Sequence, residues 1–204
     1  MRKVLTLFLG LTSAAMLSHA SLTPVNQLIA PNGDGTYTWF YDVTLDTLQQ
    51  IDENNPPVVT LYDFYGYVPG SLNVISPDWT GDDSATVTAP PSGALPLGGV
   101  DDALGVNFTF TYTGTLPSTG NAIEGVGDPI LTFSAVSIYN QVRLSPFSSK
   151  ASKDNDLGAD EGTFAGNQGS YEAPQSVIPE PASMSLLGGA LLALAGLRGR
   201  LTKR

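Results

Sequence analysis

The feature that most constrains the fold is an alternation of side chains along residues 36–46. One face of an extended strand carries Thr, Asp and Phe40, and the opposite face carries Tyr37, Trp39, Tyr41, Val43 and Leu45. A period of two predicts a half-buried β-strand. The preceding Asn32-Gly33-Asp34-Gly35 segment supplies residues that tolerate the left-handed backbone of a hairpin turn. We therefore expect a β-hairpin whose incoming strand contains Leu28 and Ile29.

Other segments follow the same period. Residues 104–113 alternate again, with Asn107 and three Thr facing outward and an inward row of Leu104, Val106, Phe108, Phe110 and Tyr112. Residues 58–67 are apolar on both faces, which predicts a central strand covered on each side. Further strands are predicted over residues 72–75, 85–89, 130–139 and 169–173.

These strands predict the fold class. About seven to nine strands within residues 21–178 indicate one all-β domain, a single β-sandwich for which a jelly-roll-like topology is an option. Two segments depart from the pattern. Residues 42–54 favour a helical turn with Leu45, Leu48 and Ile51 on one face. Residues 145–169 are rich in Ser, Asp, Asn and Gly, so we expect a long mobile loop or a loosely packed hairpin rather than core.

The residue types that are missing restrict the chemistry. The chain has no Cys, and its one His is His19. Residues 21–178 therefore contain neither His nor Cys. This excludes Ser-His-Asp and Cys-His catalysis in that segment, and zinc sites built from His or Cys. Carboxylate-pair chemistry, chemistry based on Lys or Tyr, and calcium binding through oxygen ligands remain possible.

The first 20 residues have the layout of a signal peptide. A basic start, Met1-Arg2-Lys3, precedes an apolar stretch over residues 4–17 and a small-x-small motif, Ser18-His19-Ala20. We predict cleavage between Ala20 and Ser21, so that residues 21–178 form an exported domain.

Residues 179–204 have the layout of a sorting signal. Pro179-Glu180-Pro181 should form an extended segment without regular backbone pairing, because each proline fixes φ and removes a donor. The 16 apolar residues that follow, 182–197, predict a short transmembrane helix of about 24 Å, less than the ~30 Å bilayer core. A basic tail over residues 198–204 should stay in the cytoplasm, and it contains Arg198, Arg200, Lys203 and Arg204.

This order of a Pro-Glu-Pro triplet, a short apolar helix and a basic cluster resembles the PEP-CTERM sorting signal of Gram-negative bacteria. The resemblance covers only residues 178–204. In that family an exosortase, a membrane-embedded enzyme similar to a cysteine transpeptidase, recognises the tail and cleaves near the triplet. The resemblance implies that this chain is a substrate with Pro179, Glu180 and Pro181 as the recognised positions. The alternative is an ordinary C-terminal anchor with a proline-rich junction.

The charge of the exported domain excludes one class of partner. Residues 21–178 contain eighteen acidic residues against three basic ones, a net charge of −15. Such a surface repels nucleic acid and anionic lipid. We therefore expect no nucleic-acid partner.

One acidic segment is a calcium candidate. Asp154, Asp156, Asp160 and Glu161 lie close together in a polar stretch, and hard oxygen ligands in a flexible loop suit Ca²⁺. Their spacing differs from that of an EF-hand loop, and a solvated acidic loop is the alternative. Apart from possible Ca²⁺, we expect no cofactor.

Aromatic side chains allow a second kind of site. A set of aromatic residues could form a platform that stacks sugar rings, or it could pack in the core, and the strand period favours the core. The set is Tyr37, Trp39, Tyr41, Tyr62, Phe64, Tyr65 and Tyr67. The better surface candidates are Phe40, Tyr65, Tyr67 and Trp79. Asn107-Phe108-Thr109 is a glycosylation sequon inside a strand. Three adjacent carboxylate pairs are assigned to turns rather than to catalysis, namely Asp52 with Glu53, Asp82 with Asp83, and Asp101 with Asp102.

The sequence therefore predicts an exported protein without catalytic activity that an exosortase processes. By resemblance, it would pass through the inner membrane and reach the cell surface or the extracellular polysaccharide, where such proteins accompany exopolysaccharide and biofilm production. The alternatives are a carbohydrate-binding module and a carboxylate-dependent glycan hydrolase. An aromatic row on a solvent-facing sheet would favour the module, and two carboxylates across a cleft would favour the hydrolase.

Overall fold

The most regular alternating segment forms the second strand of a hairpin and lies inside a sheet, between two other strands. In the computed structural model, which describes residues 22–83, 104–118, 121–154 and 161–175, this segment is strand β2 (Tyr37–Leu45). The predicted inward row is confirmed, since Trp39, Tyr41, Val43 and Leu45 are fully buried. Strand β1 (Leu22–Pro31) pairs antiparallel with β2, so the hairpin is confirmed and its first strand is longer than predicted. Gly33 and Gly35 in the turn have φ of 83° and 90°, values that favour glycine.

The described residues contain nine further strands, so that the total of eleven exceeds the predicted seven to nine. They are β3 (Gln49–Ile51), β4 (Val58–Phe64), β5 (Asn73–Val74), β6 (Trp79–Asp82), β7 (Val106–Tyr112), β8 (Ile123–Glu124), β9 (Pro129–Ser137), β10 (Val142–Lys153) and β11 (Phe164–Pro174). The strand predicted over residues 85–89 lies outside the described residues. The described ranges contain no helix, and hence none that is long and apolar enough to cross a membrane.

The strands form two antiparallel sheets. The four-stranded sheet has the order β1-β2-β9-β5. The seven-stranded sheet has the order β6-β7-β4-β10-β3-β8, and β11 pairs with β10 along its whole length. Strand β4 lies between β7 and β10 and is buried at six of its seven residues, which confirms the predicted central strand.

Aromatic side chains join the two sheets. Phe133 of the four-stranded sheet lies 4.3 Å from Phe110 of the seven-stranded sheet, measured between ring centroids, and Tyr41 lies 6.5 Å from Phe64. Buried rings also make polar contacts: Trp39 Nε1 donates to the Tyr139 carbonyl at 3.0 Å, and the Tyr41 hydroxyl donates to the Glu172 carbonyl at 2.8 Å. Two sheets that enclose one aromatic core confirm the all-β class and are consistent with a β-sandwich.

For the part of residues 145–169 that the structure describes, the expected long mobile loop is wrong and the alternative of a hairpin is confirmed, but the hairpin belongs to the core and is not loosely packed. Strands β10 and β11 pair over eleven register positions, from Val142–Pro174 to Ser152–Phe164. Their interior is core, because Ser145, Ser148, Ser149 and Ser152 are at most 1% exposed. Each serine hydroxyl has a hydrogen-bond partner, so a composition typical of loops is compatible with burial here.

The predicted helical turn over residues 42–54 is also wrong. Strand β2 continues to Leu45, and a short turn through Leu48 leads into β3. Leu45 and Ile51 are buried, as the helical face required, but Leu48 is 53% exposed. Pairing of β3 with β10 and β8 satisfies backbone groups that a helix would have satisfied internally.

Two positions around β7 contradict the predicted faces. Leu104 was expected inward and is 81% exposed, because it precedes the strand. Asn107 was expected outward and is 1% exposed, because its side-chain oxygen accepts a hydrogen bond from the backbone N–H of Asp63 at 3.0 Å.

Candidate functional site

The predicted processing positions lie outside the described residues. This holds for the cleavage positions Ala20 and Ser21, for Pro179, Glu180 and Pro181, and for Arg198, Arg200, Lys203 and Arg204. Their roles remain predictions from the sequence.

The acidic calcium candidate is described only at its two ends. The N–H of Gly162 donates to the carbonyl of Lys153 at 2.9 Å, so Asp154 and Glu161 stand at the two bases of the connection between β10 and β11. Asp156 and Asp160 lie outside the described residues. Among those described, no three His, Cys, Asp or Glu side chains are grouped to hold a metal ion. Calcium binding therefore stays a prediction.

Strand β4 contains the most unusual backbone among the described residues. Asp63 has φ of 59°, the left-handed region that few residues other than glycine adopt, and it is 2% exposed. The pairing of β4 with β7 shifts register between Leu61 and Phe64, which marks a β-bulge. Gly105 makes the bulge possible, because a Cβ at that position would lie 2.4 Å from the Cα of Asp63.

Polar groups hold the bulge in place. The backbone N–H of Asp63 donates to Asn107 Oδ1, and its carbonyl accepts a hydrogen bond from Ser145 Oγ at 3.4 Å. The neighbouring carbonyl of Tyr62 accepts one from the hydroxyl of Tyr171 at 2.9 Å. Side chains from β7, β10 and β11 thus fix two successive peptide groups of β4.

A cation and a second tyrosine lie beside this bulge. The guanidinium of Arg143 lies 4.7 Å from the centroid of the Tyr65 ring. Burial raises the pKa of Tyr171 well above its ordinary value, the Asp63 carboxylate adds to the rise, and Arg143 opposes it. The Tyr171 hydroxyl therefore stays protonated at neutral pH and acts as a hydrogen-bond donor. We name Asp63, Asn107, Arg143, Ser145 and Tyr171 the bulge cluster.

The sequence reasoning missed the bulge cluster. A usable signal was present, since Asp63 is the one charged residue in the otherwise apolar and aromatic sequence 58–67. A buried carboxylate in a central strand needs polar partners from other strands. Asn107 and Ser145, which bind the backbone N–H and carbonyl of Asp63, are distant in sequence and could not be assigned without the pairing of β4 with β7 and β10.

Carboxylates that are adjacent in sequence differ in burial and in hydrogen-bond partners. Asp52 is fully buried and accepts hydrogen bonds from Gln50 Nε2 at 2.8 Å, Ser152 Oγ at 2.5 Å and the N–H of Asn54 at 2.9 Å, whereas Glu53 is exposed. Asp83 accepts a hydrogen bond from the hydroxyl of Tyr67 at 2.5 Å. Burial and this hydrogen bond raise the pKa of Tyr67. The pair Asp101 and Asp102 lies outside the described residues.

The aromatic residues pack mainly in the interior. Trp39, Tyr41 and Phe64 are fully buried and form the core, as the strand period favoured. Two surface predictions are wrong, since Tyr65 is 3% and Trp79 4% exposed. Phe40 and Tyr67 are half-buried, and Tyr62 is 3% exposed. The sequon at Asn107 is inaccessible in the folded chain, because its side chain binds the bulge.

Both ends of the body expose aliphatic side chains. At the end of the body that contains residue 175, the N–H of Gln175 donates to the carbonyl of Gln141 at 2.7 Å. The exposed aliphatic side chains around this point are Ile138 (52%), Val142 (45%) and Leu144 (69%). We call these three residues, with Gln141 and Gln175, the exit end. The opposite end also exposes three aliphatic side chains, Leu48 (53%), Ile123 (45%) and Val126 (70%).

The described residues therefore define an all-β body of two antiparallel sheets, consistent with a β-sandwich, with a polar bulge cluster inside and two exposed aliphatic ends. No protein-family model matches the chain, and no match occurs among curated proteins or among solved structures.

Proposed function

We propose that the chain is an exported protein in which a β-sandwich body is joined to a tail that an exosortase recognises and removes. The observation that carries the proposal is the order of Pro179-Glu180-Pro181, the apolar residues 182–197 and the basic residues 198–204. In this proposal the catalytic step belongs to the sorting enzyme, and the body has no activity of its own.

Two further observations support a division between body and tail. Strand β11 ends at Pro174, and four residues, 175–178, lie between it and the triplet. All three cations within residues 21–178 are Arg143, Lys150 and Lys153, so the basic residues of the chain concentrate in its two terminal segments. This distribution suits a body held on the side of the membrane opposite to both basic segments.

After processing, the body is delivered to the cell surface or to the extracellular polysaccharide. Its net charge of −15 keeps it soluble and away from nucleic acid. It uses most of its large aromatic rings to fill the core, so we propose a structural component of the matrix rather than a carbohydrate-binding module or a glycan hydrolase.

The test is the mass of the mature protein. In a host that carries an exosortase, the parent chain should lose residues 182–204 and appear in the outer or extracellular fraction. The variant Glu180→Ala should stay uncleaved in the inner membrane, whereas the nearby substitution Ser176→Ala should mature normally. Recovery of mature parent protein that still contains Leu186 to Arg204 would show an ordinary membrane anchor and overturn the sorting proposal.

A further inference from the structure

We infer that Gln50 and Ser152 form an intramolecular ester cross-link between β3 and β10, with Asp52 as the catalytic base. The acyl group is the side-chain carbonyl of Gln50, the nucleophile is the hydroxyl of Ser152, and the leaving group is ammonia. The inference concerns the body alone and does not depend on the sorting tail. In a chain without cysteine, this bond supplies the covalent link between strands that a disulfide supplies in many exported proteins.

Strand pairing places the two reacting side chains opposite each other. Ser152 of β10 pairs in antiparallel register with Gln50 of β3, so both side chains project from the same face of the sheet. The Cβ atoms of directly opposed residues lie about 4.5–5.5 Å apart, a distance that the longer glutamine side chain can span to reach a serine hydroxyl. Asp52 follows Gln50 by two positions and reaches the same side, because it bonds both of these side chains.

One carboxylate contacts both reacting groups. The Ser152 hydroxyl donates to Asp52 Oδ1 at 2.5 Å, and Gln50 Nε2 donates to Asp52 Oδ2 at 2.8 Å. The backbone N–H of Asn54 also donates to Oδ1, at 2.9 Å, and holds the carboxylate in its orientation. A hydroxyl bonded to a carboxylate has a base in place to take its proton, and the amide nitrogen lies within reach of the same group.

The reaction balances without an added reagent. Asp52 takes the hydroxyl proton of Ser152 while Oγ forms a bond to Cδ of Gln50, which gives a tetrahedral intermediate. The Cδ–Nε2 bond then breaks, its electron pair stays on the nitrogen, and the Asp52 carboxyl gives the proton to that nitrogen. Ammonia leaves, an Oγ–Cδ ester remains, and the carboxylate is restored. The structure shows the three side chains before this step, with the amide and the hydroxyl intact.

Burial favours the ester over its hydrolysis. Gln50 is 2% exposed, and Asp52 and Ser152 are fully buried. Water is the competing nucleophile at an acyl group, and a site that excludes water preserves the ester after ammonia has left. The same burial strengthens the interaction of the carboxylate with the hydroxyl that it deprotonates.

Two other sets among the described residues lack one of these conditions. Ser145 of β10 is equally buried, but its hydroxyl donates to a backbone carbonyl, which is not a base at neutral pH. In the β1–β2 turn, Asn32 Nδ2 donates to the hydroxyl of Thr36, and that hydroxyl donates to Asp34. Asn32 and Asp34 are exposed, so water would hydrolyse an ester there. Burial, a carboxylate and an amide coincide at Ser152.

The test is a digest of the full chain, which is incubated folded at neutral pH, then unfolded and treated with trypsin and a glutamate-specific protease. Cleavage after Glu53, Lys150 and Lys153 separates Gln50 from Ser152. In most molecules we expect the peptide that ends at Glu53 to carry the tripeptide 151–153. The joined product should weigh about 17 Da, one ammonia, less than the two peptides together. Dilute alkali should release the tripeptide and leave a glutamate at position 50.

Matched variants assign the roles. Ser152→Ala removes the nucleophile, and Asp52→Asn removes the base but keeps an acceptor for the hydroxyl, so both variants should give unlinked peptides. Ser145→Ala is the control, since it changes another buried serine of β10, and it should be linked like the parent. Circular dichroism checks that each variant is folded, and the digest of the parent decides the inference whatever the variants do.

Three results would overturn the inference, and each leaves the sorting proposal intact because they concern the body alone. A parent chain that gives only separate peptides has no cross-link. A joined product that survives dilute alkali is an amide formed by Lys153 and not an ester of Ser152. Loss of ammonia confined to a single peptide, as a succinimide at Asn32-Gly33 would produce, joins no strands.

Discussion

The four-stranded sheet and the β10–β11 hairpin contribute to the same core by different means. Strand β2 faces the interior with Trp39, Tyr41, Val43 and Leu45, and its contribution is the burial of large apolar surface. The hairpin adds Phe147 and Tyr171 to the core, but it also faces other elements with small hydroxyls. These hydroxyls bind the carbonyl oxygens of Leu22 and Asp63 and the carboxylate of Asp52. Apolar burial is non-directional, whereas a buried hydrogen bond requires its partner at a fixed place. The difference implies that the sheet sets the stability and the hairpin sets the alignment of neighbouring strands.

The largest expected effect concerns the apolar side of this comparison. Trp39→Ala should lower the free energy of unfolding by about 4 kcal/mol, because it leaves a cavity beside Tyr41 and Phe64 and orphans the Tyr139 carbonyl. Phe40→Ala is the matched control, since Phe40 is the next residue and is half-buried on the other face. Denaturant unfolding of both variants measures the difference. An equal loss in both would contradict the assigned faces of β2.

The second prediction concerns the polar side. Asp52→Ala should cost about 3 kcal/mol, because it leaves Gln50, Ser152 and the Asn54 N–H without their buried acceptor. Its exposed neighbour provides the control, and Glu53→Ala should change stability by less than about 0.5 kcal/mol. Thermal unfolding followed by circular dichroism is sufficient. If the two variants melt together, the buried carboxylate does not hold β3 against β10.

The third prediction concerns the pH dependence of the stability, to which one buried tyrosine in each region contributes. Burial raises the pKa of Tyr41 and of Tyr171 well above the ordinary value of 10.0, so the unfolded chain loses these protons first. The stability that their neutral forms provide is present below about pH 10 and decreases as the pH rises further, by up to ~1.4 kcal/mol per pH unit for each group. Tyr171→Phe should be less stable than the parent at pH 7 and lose less stability between pH 10 and 11. Parallel pH profiles for variant and parent would exclude Tyr171 as a source of the alkaline loss.

The smallest expected effect lies at the tip of the hairpin. If Asp154, Asp156, Asp160 and Glu161 bind Ca²⁺ with a millimolar dissociation constant, 10 mM Ca²⁺ should stabilise the body by about 1.4 kcal/mol. Asp154→Asn should abolish the rise in melting temperature, and Asp34→Asn in the β1–β2 turn should leave it unchanged. Mg²⁺ at the same concentration controls for ionic strength. A parent protein whose melting temperature ignores Ca²⁺ rules out the site.

The sequence predicted the four-stranded sheet better than the hairpin for a physical reason. Alternation identifies a strand when one face is apolar, and Trp39 to Leu45 meet that condition. Strand β10 has Ser on both faces, so its composition is typical of a loop although Ser148 and Ser152 are buried. Only the pairing with β3, β4 and β11 provides the partners that make these serines compatible with a core.

The candidate sites divide in the same way. The sorting residues form a contiguous motif, so the sequence alone defines Pro179, Glu180 and Pro181 as a hypothesis. The bulge cluster combines residues that are distant in sequence, and its Tyr171 binds the carbonyl of Tyr62, 109 positions away, so no local pattern indicates it. The exit end is likewise visible only once Gln175 is placed beside Gln141.

The placement of the first and last described strands has a mechanical consequence. Leu22 begins β1 at the opposite end of the body, where it pairs with Leu45, and Gln175 follows β11 at the exit end. A pull between these two points runs along the strands and loads the β1–β2 and β10–β11 ladders in shear, so many hydrogen bonds share the force at once. Single-molecule stretching between residues 22 and 175 should therefore give one high-force rupture, whereas stepwise unzipping at low force would contradict this load path.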